Sequence, residues 1–214
     1  MTSRRLGLAS LVLFVLFGIL TLAVMGSPTD AGGLASLGTS LFDFTRTHAL
    51  VADGARALSF IGNDAIAGLV VVVAALVLFF RRHRALAVFV VLSAGIGVVL
   101  ATIVKELVDR GRPASDGVLA MATSPSYPSG HACAGITVYA SIGIAVLLIV
   151  HAGWGKAAGI ILIVVGVLIG VSRILLGVHW VSDVMGGWLL GSAIVCGVGA
   201  GVLAWVLRRS ATAG

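Results

Sequence analysis

The chain has 214 residues, of which 59% are hydrophobic and only 10% are charged, and its formal net charge is +6. A soluble domain carries roughly a quarter charged residues, so this composition, with a mean hydropathy of +1.16, excludes an ordinary water-soluble protein. The charges lie in short segments between long apolar runs, which indicates a multi-spanning membrane protein and leaves no basic stripe for nucleic acid.

Six apolar runs are long enough to cross a hydrocarbon core, which requires roughly 20 helical residues. The first run follows two arginines, and its long apolar core favours a retained span over a cleaved signal peptide. The fifth run is short, and we expect it to extend at one end. The runs lack the alternation of barrel strands, so the sequence predicts an all-α fold: a polytopic bundle of six transmembrane helices forming a single domain over residues 1–214. The predicted spans are Leu6–Met25, Phe60–Phe80, Ala85–Lys105, His131–Val150, Ala157–Ser172 and Val184–Leu207.

The connection between the first two spans, residues 27–59, has its own helical pattern. Apolar residues recur there at spacings of three, four and seven, which predicts a short helix lying in the membrane interface. A packing helix is favoured over a lid above a substrate entrance. The apolar residues are Leu41, Phe44, Val51, Ala55 and Leu58.

Glycines four residues apart occur in the last two predicted spans. The pairs are Gly166 with Gly170, Gly187 with Gly191, and Gly197 with Gly201. Small residues at this spacing allow helix backbones to approach closely in lipid, although a chain with 29 glycines also produces such pairs by chance.

The distribution of charge across the six spans predicts the orientation of the chain. Basic residues are enriched on the cytoplasmic side of membrane proteins, so both termini are expected to be cytoplasmic, in a plasma membrane. All eight acidic residues fall on the opposite, outer side: Asp30, Asp43, Asp53, Asp64, Glu106, Asp109, Asp116 and Asp183. The basic residues divide into Arg4, Arg5, Arg81, Arg82, Arg84, Lys156, Arg208 and Arg209 inside, and Arg46, Arg56, Lys105, Arg110, Arg112 and Arg173 outside.

The first of three polar outer segments leaves the third span. Lys105 and Arg112 are seven residues apart, so both cations are expected on one helical face, with Pro113 ending the helix. Arg110 is interpreted as an anchor whose head reaches the membrane interface.

The second polar segment, residues 126–131, opens the fourth span. A turn through Pro128, Ser129 and Gly130 at a helix start offers free backbone N–H groups and a hydroxyl, which together favour an anion. His131 follows, with a side chain that exchanges protons near neutral pH. A simple capped helix remains an equal alternative for this segment alone.

The third polar segment, residues 172–183, joins the fifth and sixth spans. His179 and Asp183 are four apart, so they are expected on one helical face. A carboxylate that accepts the proton of one imidazole nitrogen leaves the other nitrogen free to attack. Arg173 offers a planar fork suited to phosphate oxygens. Without the other two segments, a purely structural His–Asp pair would be favoured.

The three segments share one side of the predicted topology, and their conjunction favours function. Together they supply three cations, two histidines and a carboxylate at span ends, where charges are costly unless they are paired or functional. A cluster of cations requires an anion, and phosphate is the obvious candidate. The two cysteines, Cys133 and Cys196, lie inside apolar runs without metal-ligand spacing, and are interpreted as buried small hydrophobes.

The chain closely resembles the PAP2 family, the type 2 phosphatidic acid phosphatases. The three-part motif of that family, Lys-x6-Arg-Pro, Pro-Ser-Gly-His and Ser-Arg-x5-His-x3-Asp, is matched by Lys105 to Pro113, Pro128 to His131, and Ser172 to Asp183. Every motif position is filled, and the predicted core covers nearly the whole chain.

The resemblance implies a role for each matched residue. His179 would take the phosphoryl group as nucleophile, Asp183 would orient it, and His131 would protonate the leaving oxygen. The phosphate oxygens would be held by Lys105, Arg112, Ser129, Gly130 and Arg173. Family members need no metal, so neither a metal nor another cofactor is expected.

The expected substrate is a lipid phosphate or diphosphate, reached from the surrounding membrane lipids. For members this small the resemblance favours undecaprenyl diphosphate, with phosphatidylglycerol phosphate or phosphatidic acid as alternatives. A lipid phosphotransferase on the same scaffold and, from a different class, an anion transporter are the competing hypotheses. Transporters place functional charges near the midplane and have paired repeats, which argues against the second. The sequence does not predict an oligomeric state.

Overall fold

The computed structural model describes residues 2–27, 29–113, 117–120 and 123–212, and every regular element within these ranges is helical. Asp116, predicted on the outer side, lies outside them. The elements are α1 (Ser3–Gly26), α2 (Gly32–Thr47), α3 (Ala49–Ile61), α4 (Asp64–Phe80), α5 (Arg84–Val108), α6 (Gly130–Ala134), a π-helical segment (Gly135–Ala140), α7 (Ser141–Ile149), α8 (Gly153–Leu175) and α9 (Val181–Thr212).

Five of the helical segments are long and apolar enough to cross a membrane: α1, α5, the continuous run from α6 through the π-helical segment to α7, α8, and α9. Helices α3 and α4 meet the same criterion together but are bent by 56° at a short break. The prediction of an all-α membrane bundle is confirmed. The count of six spans stays a prediction, because it depends on the bent pair.

The second predicted span, Phe60–Phe80, is wrong at its start. Phe60 belongs to α3, and α4 begins only after a break at Gly62 and Asn63. The Asn63 side chain accepts a hydrogen bond from the N–H of Ala65 at 2.9 Å, which caps the new helix. A two-residue break is short compared with the window of about 19 residues that identifies a span, so the apolar run alone did not reveal it.

The other spans differ from prediction mainly in length. The fifth extends at both ends, to Gly153–Leu175, rather than at one end. The sixth begins three residues earlier than predicted, at Val181, and so includes Asp183 in its first turn. The third continues beyond Lys105 to Val108.

The outer connection contains two helices, α2 and α3, rather than the single helix expected. They meet at His48, which has an extended backbone conformation. Phe42 and Ala55 are buried against the bundle, whereas Phe44, predicted on the apolar face, is half exposed. The location of these helices at a membrane interface stays a prediction.

Glycines allow α8 to approach the π-helical segment very closely. A Cβ atom added at Gly166 would lie 2.3 Å from the carbonyl oxygen of Gly135, and one added at Gly135 would lie 2.1 Å from that of Gly166. A Cβ atom added at Gly170 would lie 2.6 Å from Nε1 of the Trp188 ring, whereas one added at Gly201 would have nothing within 4 Å. Close packing is therefore present at the predicted glycines with the exception of Gly201.

The polar segments meet at one end of the bundle. This end contains the end of α5, the start of α6, the end of α8, the start of α9 and the joint between α3 and α4. Hydrogen bonds cross between these elements, as described next. The fold therefore brings together residues that are separated by as many as 152 positions in the chain.

Candidate active site

His179 and Asp183 form a hydrogen-bonded pair at the start of α9. The Nδ1–H of His179 donates to Asp183 Oδ2 over 3.2 Å, since a carboxylate can only accept, and both side chains are buried. The shared helical face expected for them is wrong, because His179 lies in the turn before α9. Asp183 reaches back over that turn instead, and its Oδ2 also accepts the N–H of Trp180 at 2.9 Å.

The second nitrogen of His179 is unprotonated, and its lone pair faces Arg112. Its Nε2 accepts a hydrogen bond from Arg112 Nη1 at 3.1 Å, which requires the neutral ring with its proton on Nδ1. Burial lowers the pKa of His179 to about 4, opposed by the hydrogen bond and charge of Asp183 and assisted by Arg112 and Arg173. The ring is therefore neutral at pH 7 and can act as a nucleophile at Nε2.

Arg112 lies beside Nε2 of His179, on the side of the ring away from Asp183. Its Nε donates to the Ser124 carbonyl at 2.8 Å, and its Nη1 also donates to the Val178 carbonyl at 2.7 Å. Burial, the larger effect, lowers the pKa of Arg112, and the charge of Asp183 opposes this. The guanidinium is thus held in a fixed orientation beside the nucleophilic nitrogen.

Lys105 reaches the same place, but not by the predicted route. Helix α5 ends at Val108, and Asp109 has a left-handed backbone conformation with φ of 44°, so Arg112 does not continue the helical face of Lys105. Pro113 therefore does not end the helix. The two cations converge because Lys105 Nζ and Arg112 Nη2 both donate to the Pro125 carbonyl, at 2.7 and 3.4 Å.

Arg173 and His131 meet at Ser59, which the sequence did not single out. Arg173 Nη1 donates to the Ser59 hydroxyl, and His131 Nε2 donates to the Ser59 carbonyl at 3.2 Å. Arg173 is buried, and its Nε has no hydrogen-bond partner among the described residues. Electrostatic interactions couple His131 to Arg173, His179 and Lys105. The two histidines therefore belong to one charged cluster.

Ser129 and Gly130 form the start of α6, as the sequence indicated. The Ser129 hydroxyl is buried and accepts the N–H of Ala132 at 3.4 Å, so it caps the helix. Its own N–H donates to the backbone carbonyl of Asp183 at 2.9 Å, which ties this turn to α9. Gly130 lies next to the Lys105 side chain, since a Cβ atom there would be 3.8 Å from Lys105 Cε. Binding of phosphate by Ser129 and Gly130 stays a prediction.

Arg110 corrects the sequence interpretation most clearly. It is 4% exposed rather than anchored at the membrane interface. Its Nη1 donates to Asp183 Oδ1 at 2.6 Å, and its Nη2 donates to Asp30 Oδ1 at 3.2 Å. The interpretation was wrong because a basic residue after a span looks the same in sequence whether its partner is lipid, water or a buried carboxylate.

The cluster supplies cations and a nucleophile rather than metal ligands. Within the part of the chain that the structure describes, no three His, Cys, Asp or Glu side chains form a group that could hold a metal ion. Cys133 is buried and Cys196 half-buried, and both are free thiols. A buried neutral imidazole facing several guanidinium and ammonium groups is suited to attack on an anionic, electrophilic phosphorus.

Comparison with known proteins gives an independent result. The sequence model of the family described as "PAP2 superfamily" matches residues 85–209. The chain is 38% identical over 127 residues to an undecaprenyl-diphosphatase of Sulfolobus acidocaldarius, covering 57% of this chain and 58% of that protein. It is 37% identical over 118 residues to phosphatidylglycerophosphatase B of Bacillus subtilis, covering 53% of this chain and 57% of that protein. The matched region therefore spans less than two thirds of either relative.

A solved structure matches more of the molecule. The crystal structure of a transmembrane PAP2-type phosphatidylglycerolphosphate phosphatase from Bacillus subtilis superposes with a TM-score of 0.75 and 26% sequence identity. The superposition covers 89% of this chain and 94% of that one, so it extends well beyond residues 85–209 that match the family.

Proposed function

Because the chain belongs to the PAP2 superfamily, we propose that it is a single-domain integral membrane phosphatase that hydrolyses a lipid phosphate or diphosphate. The observation that carries this proposal is the state of His179. Its Nδ1–H is engaged by Asp183, while its Nε2 lone pair faces the Arg112 guanidinium. Phosphate oxygens bound to that guanidinium would place phosphorus within reach of a nucleophilic nitrogen.

The first half-reaction transfers the phosphoryl group to His179. The Nε2 lone pair forms the N–P bond as the bond from phosphorus to the leaving oxygen breaks, and the ring becomes positively charged. Asp183 stabilises that charge through Nδ1–H. The cations Lys105, Arg112 and Arg173 neutralise the oxygens of the transferring group, a task that metal ions perform in kinases.

The leaving oxygen needs a proton, and His131 is the proposed donor. Its Nε2–H donates to the Ser59 carbonyl in the structure. The ring acts as an acid only when Nδ1 is protonated as well, because a neutral imidazole that lost its single N–H proton would become an imidazolate. Transfer of one proton from this imidazolium ring to the departing alkoxide or lipid phosphate leaves neutral His131 and completes the first step. In the second step a water gives its proton to His131 and its oxygen to phosphorus, releasing inorganic phosphate and restoring neutral His179.

A groove between α4 and α5 supports a lipid substrate. It has a volume of about 500 Å³ and is lined mainly by apolar and small side chains, with Lys105, Gly130 and the carboxylate of Asp64 at its polar end. A phosphate held at that end would leave its hydrocarbon tail in the groove, facing the bilayer. The apolar lining includes Val71, Val91 and Val98.

Undecaprenyl diphosphate is the proposed substrate, and phosphatidylglycerol phosphate or phosphatidic acid is the alternative. Both preferences agree with the names of the two relatives compared above. A phosphotransferase would use the same first step and pass the phosphoryl group to a lipid acceptor instead of water. Release of phosphate without an added acceptor distinguishes the two.

We also propose that the site faces the outer side of the plasma membrane and that both termini are cytoplasmic. The support is the charge distribution: basic residues dominate the end of the bundle opposite the site, where the loop between α4 and α5 contains Arg81 and Arg82. With Cys133 and Cys196 first replaced by alanine, modification of single cysteines introduced at His83 and at Thr123, with a reagent that does not cross membranes, tests this orientation.

The decisive experiment is a phosphate-release assay on purified protein with the three lipid substrates. We expect His179→Ala to abolish release, and His151→Ala, which alters an exposed histidine, to retain it. His131→Ala should lose activity on the lipids but recover part of it with p-nitrophenyl phosphate, since that leaving group needs no proton. Turnover of lipid by His179→Ala at the wild-type rate would reject the mechanism.

A further inference from the structure

A chain of buried ionic contacts continues behind the nucleophile, away from the proposed phosphate site. Asp183 uses one oxygen for His179 and gives the other, Oδ1, to Arg110 at 2.6 Å. Arg110 in turn uses Nη2 to reach Asp30, at 3.2 Å. Asp30 precedes α2, and so it lies outside residues 85–209 that match the family.

Asp30 is held in place by the start of α9. Its Oδ2 accepts the N–H of Ser182 at 3.2 Å, and its Oδ1 accepts the Ser182 hydroxyl. Arg110 Nη1 also donates to that hydroxyl, at 2.7 Å. Each oxygen of both carboxylates thus has a donor, and the side chains of Asp30, Arg110 and Asp183 are at most 3% exposed.

Stability alone does not explain this arrangement. Replacing a whole buried ion cluster by apolar residues is often neutral or stabilising, because the desolvation of charges offsets their attraction. What the cluster does provide is orientation and charge. Two carboxylates and one guanidinium carry a net charge of −1 directly behind His179, which favours the positive ring that forms on phosphoryl transfer.

We propose that Asp30 and Arg110 are positioning residues for the phosphatase reaction: they fix the ionised Asp183 carboxylate so that His179 keeps its proton on Nδ1 and attacks through Nε2. The expected effect on catalysis rests on the proposed function, whereas the expected effect on the His179 tautomer does not. A free imidazole prefers the opposite tautomer, with the proton on Nε2, which would block the nucleophilic nitrogen. The Asp30 contact therefore makes the segment after α1 part of the catalytic apparatus.

The test uses Asp30→Asn, which removes the charge while keeping the shape. Asp53→Asn is its matched control, because Asp53 is in the same outer region and also pairs with an arginine, Arg56, but at the surface. We expect Asp30→Asn to lower kcat about 10- to 100-fold, the loss seen when the carboxylates that orient histidines at metal sites are removed, with KM within about threefold. Asp53→Asn should match the wild type.

A second measurement does not need turnover. In protein labelled with ¹⁵N-histidine, the His179 resonances are assigned by their loss in His179→Gln, and they report which nitrogen has the proton. The wild type should contain the Nδ1–H form, and Asp30→Asn should shift the ring toward the Nε2–H form. The other charged groups around His179, namely Arg112, Arg173, Lys105 and His131, are unchanged in this comparison.

Two further variants keep the proposal testable if Asp30→Asn does not fold. Arg110→Lys keeps the charge but cannot serve both carboxylates, and Ser182→Ala removes one support of Asp30 with little change in volume. Both should show part of the kcat loss and part of the tautomer shift. Wild-type tautomer in Asp30→Asn, or in Ser182→Ala if the first variant does not fold, overturns the proposal. A wild-type protein without phosphatase activity would instead reject the proposed function, and the tautomer would still be readable.

Discussion

The contact between Gly166 and Gly135 allows a quantitative test of how the helices hold the site together. Gly166 lies on α8, seven residues before Arg173, and Gly135 lies four residues after His131. A Cβ atom at Gly166 would be 2.3 Å from the Gly135 carbonyl oxygen. This is about 1 Å closer than an ordinary van der Waals contact, and the obstacle is backbone, which cannot rotate away.

The expected cost of Gly166→Ala follows from that overlap. Forcing an extra methyl group into a packed contact costs about 1–3 kcal/mol. For a chain of this size each kcal/mol lowers the unfolding temperature by about 2–4 °C, so the variant should melt about 2–12 °C lower. Separation of α8 from the π-helical segment also changes the spacing of Arg173 and His131, and displacement of catalytic groups by 1 Å can cost about 100-fold in rate.

The measurement is the apparent melting temperature in detergent, which is obtained from the fraction of protein that stays monodisperse after heating. Phosphate release at 25 °C is measured on the same samples. Gly18→Ala is the matched control, because a Cβ atom at Gly18 in α1 has nothing within 4 Å. It should be as stable as the wild type or more stable, since alanine favours helix. Equal melting temperatures for the two variants would show that the close approach of the backbones is not as described.

Two other predictions concern acid and metals. With a His179 pKa of about 4, roughly nine-tenths of the His179 side chains are neutral at pH 5, whereas about 3% of unperturbed histidines would be. After correction for the ionisation of the substrate, kcat/KM should therefore fall only below pH 5. A loss centred near pH 6.5 would mean that His179 is not buried in this way. Phosphate release should also be unaffected by EDTA, because the oxygens are neutralised by Lys105, Arg112 and Arg173; activity lost to EDTA and restored by Mg²⁺ would contradict this.

Sequence reasoning succeeded where chemistry is local in the chain. The apolar runs predicted the membrane helices, and three short segments predicted a cluster that the fold does bring together. The reasons given for two contacts were nevertheless wrong. Lys105 and Arg112 converge through a turn at Asp109, and His179 meets Asp183 across a helix start, so spacing predicted proximity but not the backbone that produces it.

The parts that the sequence missed depend on distant partners. Asp30 contacts Ser182, 152 residues away, and nothing in a local pattern relates the two. Ser59 was assigned correctly to the outer connection, but its partners His131 and Arg173 are 72 and 114 positions away, and no local pattern relates them. Arg110 differs from an interfacial arginine only in the carboxylates that surround it, and those become visible only when the segment after α1 is folded onto α9.

Ser59 has a practical consequence for inhibitors. Its carbonyl occupies the His131 donor and its hydroxyl occupies the Arg173 donor. A compound that competes here must therefore match contacts the protein already makes with itself, and its measured affinity is the difference between two sets of hydrogen bonds. An uncharged scaffold with a carbonyl and a hydroxyl in the arrangement of Ser59 would copy those contacts, and at a site on the outer face of the membrane, as proposed above, it would not need to enter the cell.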